Sequence, residues 1–312
     1  MKTKLFLLFI TTSLVTFTLS VLAEAKTEDP PKIVIDLYPG LTSGTLSYAS
    51  LNTLPENILL QAEGIQFTQE EFEKIVASQP EAAREELKKN AFFILEQEAA
   101  NRLLLQLAKK ALTQFGKDIS GQEDAAIIQQ YFEMAVFKTI EVTDEEIKTF
   151  YENNKDMCGG TTLDQIGTSL KEYLVSQKKQ QIATDYIRDL GKQIPIQISE
   201  SWVKEKAMLA FDNPVDKARQ SKKPSMVDFG ASGCRPCDMM APILETLSKK
   251  YEGKASVIFI HVREQQILAS RYGIQSIPTQ IFYDKDGKEV YRHAGFFPQE
   301  EIEKKLKEMG VQ

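Results

Sequence analysis

The chain has 312 residues, more than one hydrophobic core usually organises, so two folded domains plus extras are expected. Its composition is 42% hydrophobic and 26% charged, that of ordinary globular protein, which excludes a mostly disordered chain. A net charge of −6 argues against a general nucleic-acid binder, which needs a basic face to neutralise phosphates.

Lys2 and Lys4 supply positive charge, Leu5 to Ala23 is uncharged and mostly apolar, and Ala23-Glu24-Ala25 offers small residues at the spacing a signal peptidase accepts. Residues 1–25 therefore read as a cleaved secretory signal peptide. The alternative is an uncleaved membrane anchor, since the apolar run is long enough to span a bilayer. Either way the mature body is expected outside the cytosol, in a periplasm or other extracytoplasmic space. Residues 26–54 carry Pro30-Pro31, Pro39-Gly40 and a run of Ser, Thr and Gly. They read as a linker or loosely ordered arm, with Lys32 to Ile35 as a short strand.

Residues 55–199 read as a mainly α-helical domain. Ile58 to Leu60 and Gly64 to Phe67 form a strand–turn–strand. Thr68 followed three residues later by Glu71 is a capping box that starts a helix, and Pro80 suits a first helical turn. Phe92, Leu95, Ala99, Leu103 and Leu107 recur at threes and fours, the buried stripe of a long helix running to about Phe115. A second capping box, Thr143 to Glu146, opens a helix through Tyr151. After Gly159-Gly160 another helix covers Leu163 to Leu190, with Ile166, Leu170, Tyr173, Leu174, Ile182 and Ile187 expected in the core. Ile194 to Ile198 closes the region as a short strand.

Residues 200–312 read as an α/β domain. From Ser225 the order is strand, helix, strand, helix, two strands, helix. Met226 to Phe229 is a strand and Cys234 to Tyr251 a helix. Ala255 to Val262 is apolar enough to be a central strand. Gln265 to Tyr272 is helical, a hairpin turns at Asp284 to Gly287, and Pro298 to Met309 is the terminal helix.

Only three cysteines occur, which excludes a disulfide-dense scaffold. Two of them form Cys234-Arg235-Pro236-Cys237, with a strand leading in and a helix leading out. A thiol at a helix start meets unbonded N–H groups and the positive end of the helix dipole, which favour thiolate. Arg235 adds positive charge. Thiolate is the attacking species in disulfide exchange, so Cys234 is assigned as nucleophile and Cys237, one turn further in, as resolving thiol. Two other readings use the same residues. Half a zinc site would need four ligands, and only Cys158, His261 and His293 remain as sulfur or imidazole donors. A purely structural Cys234–Cys237 disulfide is the other.

Residues 224–312 resemble thioredoxin. The likeness rests on Val227-Asp228-Phe229, on Cys-x-Pro-Cys, on Met240 to Leu244, on Tyr272 to Thr279, and on Asp286-Gly287 with Gly295. The resemblance implies a thioredoxin fold. It also implies a cis bond before Pro278, a loop facing the dithiol in which Ile277 and Pro278 bind substrate, and a buried acid, Asp228, that exchanges a proton with Cys237. It implies no cofactor beyond a redox-active Cys234–Cys237 disulfide, and no metal. The sequence departs from the family at Gly233, where Trp is usual, at Arg235, where Gly is usual, and at Phe259, where Lys is common. Such Trp-less forms resemble exported thioredoxin-like proteins supplied with electrons by a membrane donor of the CcdA/DsbD type.

Leu60 to Phe72 and Ile140 to Asn154 are similar to the chaperone domain of SurA/PrsA-type exported folding factors, so residues 55–199 are expected to have that SurA-N-like fold. Together the two resemblances imply an exported thiol–disulfide oxidoreductase of the protein-disulfide reductase or isomerase type, fused to a chaperone-like domain. Its partners would be exported proteins with thiols or disulfides, not nucleic acid. The alternative is a binding chaperone whose thioredoxin-like part is an interaction module.

Overall fold

The computed structural model describes residues 31–312; the expected signal segment over residues 1–25 lies outside the described residues. Among the described residues no helix is long and apolar enough to cross a membrane.

Local signals place the first half. The strands β2 (Ile58–Ala62) and β3 (Ile65–Thr68) pair antiparallel. Thr68 then caps α2 (Gln69–Ser78): Glu71 N–H donates to Thr68 Oγ1 at 3.2 Å, and Thr68 N–H donates to Glu71 Oε2 at 2.8 Å. After α3 (Glu81–Lys89), the long helix α4 (Ala91–Gln114) buries Phe92, Leu95, Ala99 and Leu103, while Leu107 is half-buried. A short helix, α5 (Asp124–Tyr131), runs into a π turn over Phe132–Val136. Thr143 caps α6 (Asp144–Asn153) with the same reciprocal pair of bonds, and α7 (Leu163–Gln193) returns beside it. The strand β4 (Gln197–Ser199) joins β2 and the short β1 (Ser50–Asn52) in a sheet ordered β1-β4-β2-β3.

Residues 32–54, read from composition as a linker, are packed. Lys32 to Ile35 is not a strand: Val34–Leu37 forms a helical turn, α1, closed by the Tyr38 N–H on the Val34 carbonyl at 2.8 Å. Ile33 makes only an isolated bridge to Ser50. Val34, Leu41 and Leu46 are fully buried with Phe67, Phe92 and Ile198, so the Pro, Gly and Ser residues between them serve as turns that fold an apolar arm onto the core.

The apolar stripe of α7 differs from expectation. Ile166, Leu170, Leu174, Ile182 and Ile187 are half-buried and Tyr173 is 48% exposed. Full burial is reached only near the end of the helix, at Leu190 and Gly191. The cause is geometric: the C-terminal part of α7 packs on the Thr45–Tyr48 turn and on α4 and Phe132, whereas its outer part has α6 as its main partner. At the base of the hairpin a Cβ on Gly191 would collide with the Thr45 carbonyl. Gly191→Ala should cost about 1–3 kcal/mol in urea unfolding, whereas the same change at Gly167, against a distant Leu163 methyl, should stabilise slightly.

The second sheet is ordered β6-β5-β7-β8, with β5 (Ser225–Gly230) and β6 (Ser256–His261) parallel and β7 (Thr279–Tyr283) and β8 (Glu289–Ala294) antiparallel. The helices α10 (Arg235–Lys250) and α12 (Gln299–Glu308) cover one face through Met240, Leu244, Ile302 and Leu306. On the other face, α9 (Pro214–Gln220) and α11 (Gln266–Arg271) contribute Val215 and Leu268. The apolar run in Ala255 to Val262 is an edge strand rather than a central one. Its apolar character is not matched by cover, and Phe259 stands 46% exposed.

Between the sheets, α8 (Glu200–Ala210) gives Trp202, Val203 and Ala207 to the first core, although it lies within residues 200–312. A buried polar knot lies beside it. Asp216 accepts from Arg271 and Arg219, both at 3.1 Å, and from the Tyr272 hydroxyl at 2.6 Å. Arg271 also donates to the carbonyls of Gly40, Leu41 and Ala210, so one side chain fastens the arm, α8 and the second sheet together.

Candidate active site

β5 ends at Gly230 and the chain turns through Gly233, whose φ of +75° suits glycine, to place Cys234 at the N-cap of α10. Asp238 N–H donates to the Cys234 carbonyl at 2.9 Å and starts the helix. Pro236 sits in the first turn, where a missing N–H costs nothing. Cys234 and Cys237 are disulfide-bonded, with Cα atoms 5.2 Å apart. Cys234 is half-buried and Cys237 is buried. The bond before Pro278 is cis, and the Ile277 carbonyl lies 3.9 Å from Cys234 Sγ. Thr279 Oγ1 donates to the Ser276 carbonyl and Gly295 N–H to the Pro278 carbonyl, both at 2.7 Å, which hold that loop.

Strand register sets the floor of the site. Asp228 pairs with Phe259 on one side and Gln280 on the other, and Gln280 pairs with His293. Directly opposed residues share a face, so these four form a row beneath α10. Asp228 is fully buried; Gln280 Nε2 donates to its Oδ1 at 2.7 Å, and its Oδ2 has no partner among the described residues. A Cβ on Gly230 would lie 3.4 Å from both Asp228 Oδ2 and Cys237 Cβ, so glycine here keeps open the space between acid and thiol.

Burial pushes the Asp228 carboxyl up to about 6 from an ordinary 3.8, with the Gln280 bond opposing. Between those values the folded chain holds a proton that the unfolded chain has released. Stability therefore falls as pH rises through that window and stays low above it. Asp228→Asn should exceed the wild type by about 3 kcal/mol near pH 7.5 and match it near pH 4. Urea unfolding of the oxidised protein at both pH values reads this; equal midpoints near pH 7.5 would contradict a buried charge.

Arg235 is exposed beside the dithiol and accompanies Pro236 at the edge of a cleft of about 900 Å³. The opposite wall comes from the α6–α7 hairpin, through Phe150, Asn153, Tyr173 and Gln177. A second hollow, about 570 Å³ beside β2 and β3, is lined by Gln61, Gln66, Pro195 and Gln197 and holds no thiol or imidazole.

The structure thus brings together Cys234, Cys237, Asp228, Arg235, Pro236, Ile277 and Pro278. It leaves Cys158 on the connection between α6 and α7, where its thiol donates to the Asn154 carbonyl at 3.4 Å. No cluster of three or more His, Cys, Asp or Glu residues suited to a metal occurs among the described residues. Three contributors were not foreseen. His261 Nε2 accepts from Ser232 N–H at 3.2 Å and braces the turn before Cys234. Gln280 holds Asp228, a partnership that pairing the strand around Asp228 with the one after Pro278 would have exposed. The hairpin wall had no signal beyond the apolar stripe itself.

A dithiol at a helix start, facing a cis-proline loop on a four-stranded mixed sheet, defines a protein of thiol–disulfide exchange. The family profile and the curated relatives agree. The thioredoxin family profile matches residues 203–308. Thioredoxins of Staphylococcus aureus strains Mu50 / ATCC 700699 and MW2 are each 42% identical over 92 residues, covering 30% of this chain and 83% of theirs. A crystal structure of a thioredoxin from Nicotiana alata matches at 35% identity and a TM-score of 0.28, covering 30% of this chain and 80% of that one. The chain belongs to the thioredoxin family through its C-terminal region, and its activity is that of a thiol–disulfide oxidoreductase.

Proposed function

We propose that this protein works outside the cytosol as a reductase or isomerase of disulfides in exported proteins, with Cys234 as the attacking thiol and Cys237 as the resolving thiol. The observation that carries the reading is the placement of Cys234 Sγ at the start of α10, 3.9 Å from the Ile277 carbonyl.

In the reducing direction, the Cys234 thiolate attacks one sulfur of a client disulfide. A mixed disulfide forms and one client thiolate leaves. Asp228 then takes the Cys237 proton, and the Cys237 thiolate attacks Cys234. The second client thiolate leaves and the Cys234–Cys237 disulfide forms, so two electrons have passed to the client. Two electrons and two protons from a donor dithiol restore the starting state; a CcdA/DsbD-type membrane protein is the proposed donor. In isomerisation a different client thiolate attacks the client sulfur of the mixed disulfide, a new client disulfide forms, the Cys234 thiolate leaves, and no net electrons move. Ile277 and Pro278 line the seat of the client chain. Arg235 favours the Cys234 thiolate, and Pro236 shapes the turn between the sulfurs.

Export rests on the basic, apolar and small-residue order of residues 1–25. The SurA/PrsA-type reading of residues 55–199 rests on the quoted motifs and on the two capped helices that follow them. That region would hold partly folded clients near the dithiol.

Asp228→Asn should slow resolution of the mixed disulfide by about tenfold or more above pH 6, where the carboxylate serves as base, and by less at lower pH. Stopped-flow decay of a preformed mixed disulfide at Cys234 measures it. Aggregation assays with the full chain carrying Cys234→Ser and Cys237→Ser test the chaperone half: retained protection of an unfolded client supports it, and no protection at excess removes it.

A further inference from the structure

We infer that the α6–α7 hairpin is one jaw of a client-binding cleft, which admits extended polypeptide segments carrying an aromatic or large aliphatic residue close to a cysteine. The inference rests on the dithiol reading and adds its substrate class.

The cleft runs along the dithiol edge. Arg235, Pro236, Ile277 and Met239 form one wall, so whatever occupies it lies beside the reacting sulfur. Both walls present apolar side chains to water: Tyr173 is 48% exposed, Met239 46% and Phe296 36%. Phe150 and Tyr173 stand as a pair with ring centroids 5.5 Å apart, on the outer part of the hairpin where the α7 stripe is only half-covered. Exposed rings grouped around a cavity mark a surface made to be covered.

The lining also includes the amides of Asn153, Asn154 and Gln177; Asn154 donates to the Phe150 carbonyl and Gln177 to the Tyr173 hydroxyl, which leaves their carbonyl oxygens to accept from a peptide N–H. Among the described residues Arg235 is the one lining side chain with a fixed charge, which does not suit a polyanionic ligand. About 900 Å³ is the size of a site that encloses a ligand of several hundred daltons. A short extended segment fits that volume and a folded domain does not. The jaw also lies within the same compact unit as the dithiol, Lys32–Gln312, so selection and chemistry share one body.

The test uses the full-length protein and four disulfide substrates: a short unstructured peptide with Phe two residues from a cysteine, its Phe→Ser counterpart, the same sequence in a folded protein, and hydroxyethyl disulfide. Wild type should favour the Phe peptide over the Ser peptide by about tenfold or more in kcat/KM, the effect of burying one ring. Phe150→Ala with Tyr173→Ala should reduce that preference to about twofold or less, through KM. Tyr173→Phe should keep it. Tyr173 is exposed and Phe150 half-buried, so circular dichroism checks that the double variant keeps the fold, and Tyr173→Ala alone should already lower the preference. A preference that survives the double variant, equal rates for Phe and Ser peptides, or equal rates for folded and unfolded forms would overturn the jaw. Failure of the wild type to turn over even hydroxyethyl disulfide would instead overturn the dithiol reading.

Discussion

Cys234→Ser should lower insulin-disulfide reduction by at least about 10³-fold, because a hydroxyl in that place lacks the nucleophilicity of a thiolate. Cys237→Ala should differ in kind. Its Cys234 still attacks, but no sulfur lies one turn inside to release the client, so mixed disulfides should accumulate and be recoverable on a non-reducing gel. The geometry separates the two roles. Cys234 is the half-buried N-cap beside the Ile277 carbonyl, while Cys237 is buried over Asp228 and Gly230. Equal turnover by wild type and Cys234→Ser would remove the enzymatic reading and leave the domain as an interaction module.

Asp216→Ala should be the most destabilising single change away from the dithiol. Asp216 is 1% exposed and is the shared counter-charge of Arg271 and Arg219, whose own side chains are nearly or largely buried. Removing it leaves two guanidinium groups in low dielectric without an anion. Glu96 also attracts Arg271, but burial raises its pKa, which weakens it as a stand-in. Breaking a buried pair in this way costs about 3–5 kcal/mol, a large part of the 5–15 kcal/mol typical of a folded domain. Arg271 also grips the carbonyls of Gly40 and Leu41, so the loss should loosen residues 32–54 together with α8. A urea titration should show a lower midpoint, and hydrogen exchange should show faster exchange at Leu41 and Leu46. A wild-type midpoint in Asp216→Ala would mean that the knot is not a fastening.

The dithiol was legible because its logic is local. One strand, one turn with Gly233 and one helix fix Cys234 and Cys237, so a C-x-x-C between a strand and a helix was enough to find them, while Asp228, Ile277 and Pro278 came from the resemblance. Capping boxes at Thr68 and Thr143 placed two helix starts for the same reason. What escaped the sequence depends on partners far away in the chain. The run from Ala255 to Val262 is as apolar as a central strand, and only its pairing with β5 alone makes it an edge. Tyr173 and Leu174 carry core-like periodicity, yet nothing in α7 tells how far its neighbours extend. Arg271 reads as an ordinary helix-end cation until the fold brings Asp216, Gly40 and Leu41 around it. His261 carries no motif, and its bond to Ser232 exists only because β6 ends opposite the turn before Cys234.

The most direct measurement is competitive alkylation of the fully reduced protein with iodoacetamide near pH 7, resolved by peptide mass spectrometry. Cys234 should react at least about tenfold faster than either Cys237 or Cys158, since it alone combines access with a helix N-terminus and a neighbouring Arg235. Labelling of Cys234 no faster than Cys158, or slower than Cys237, would contradict the assignment from which the rest follows.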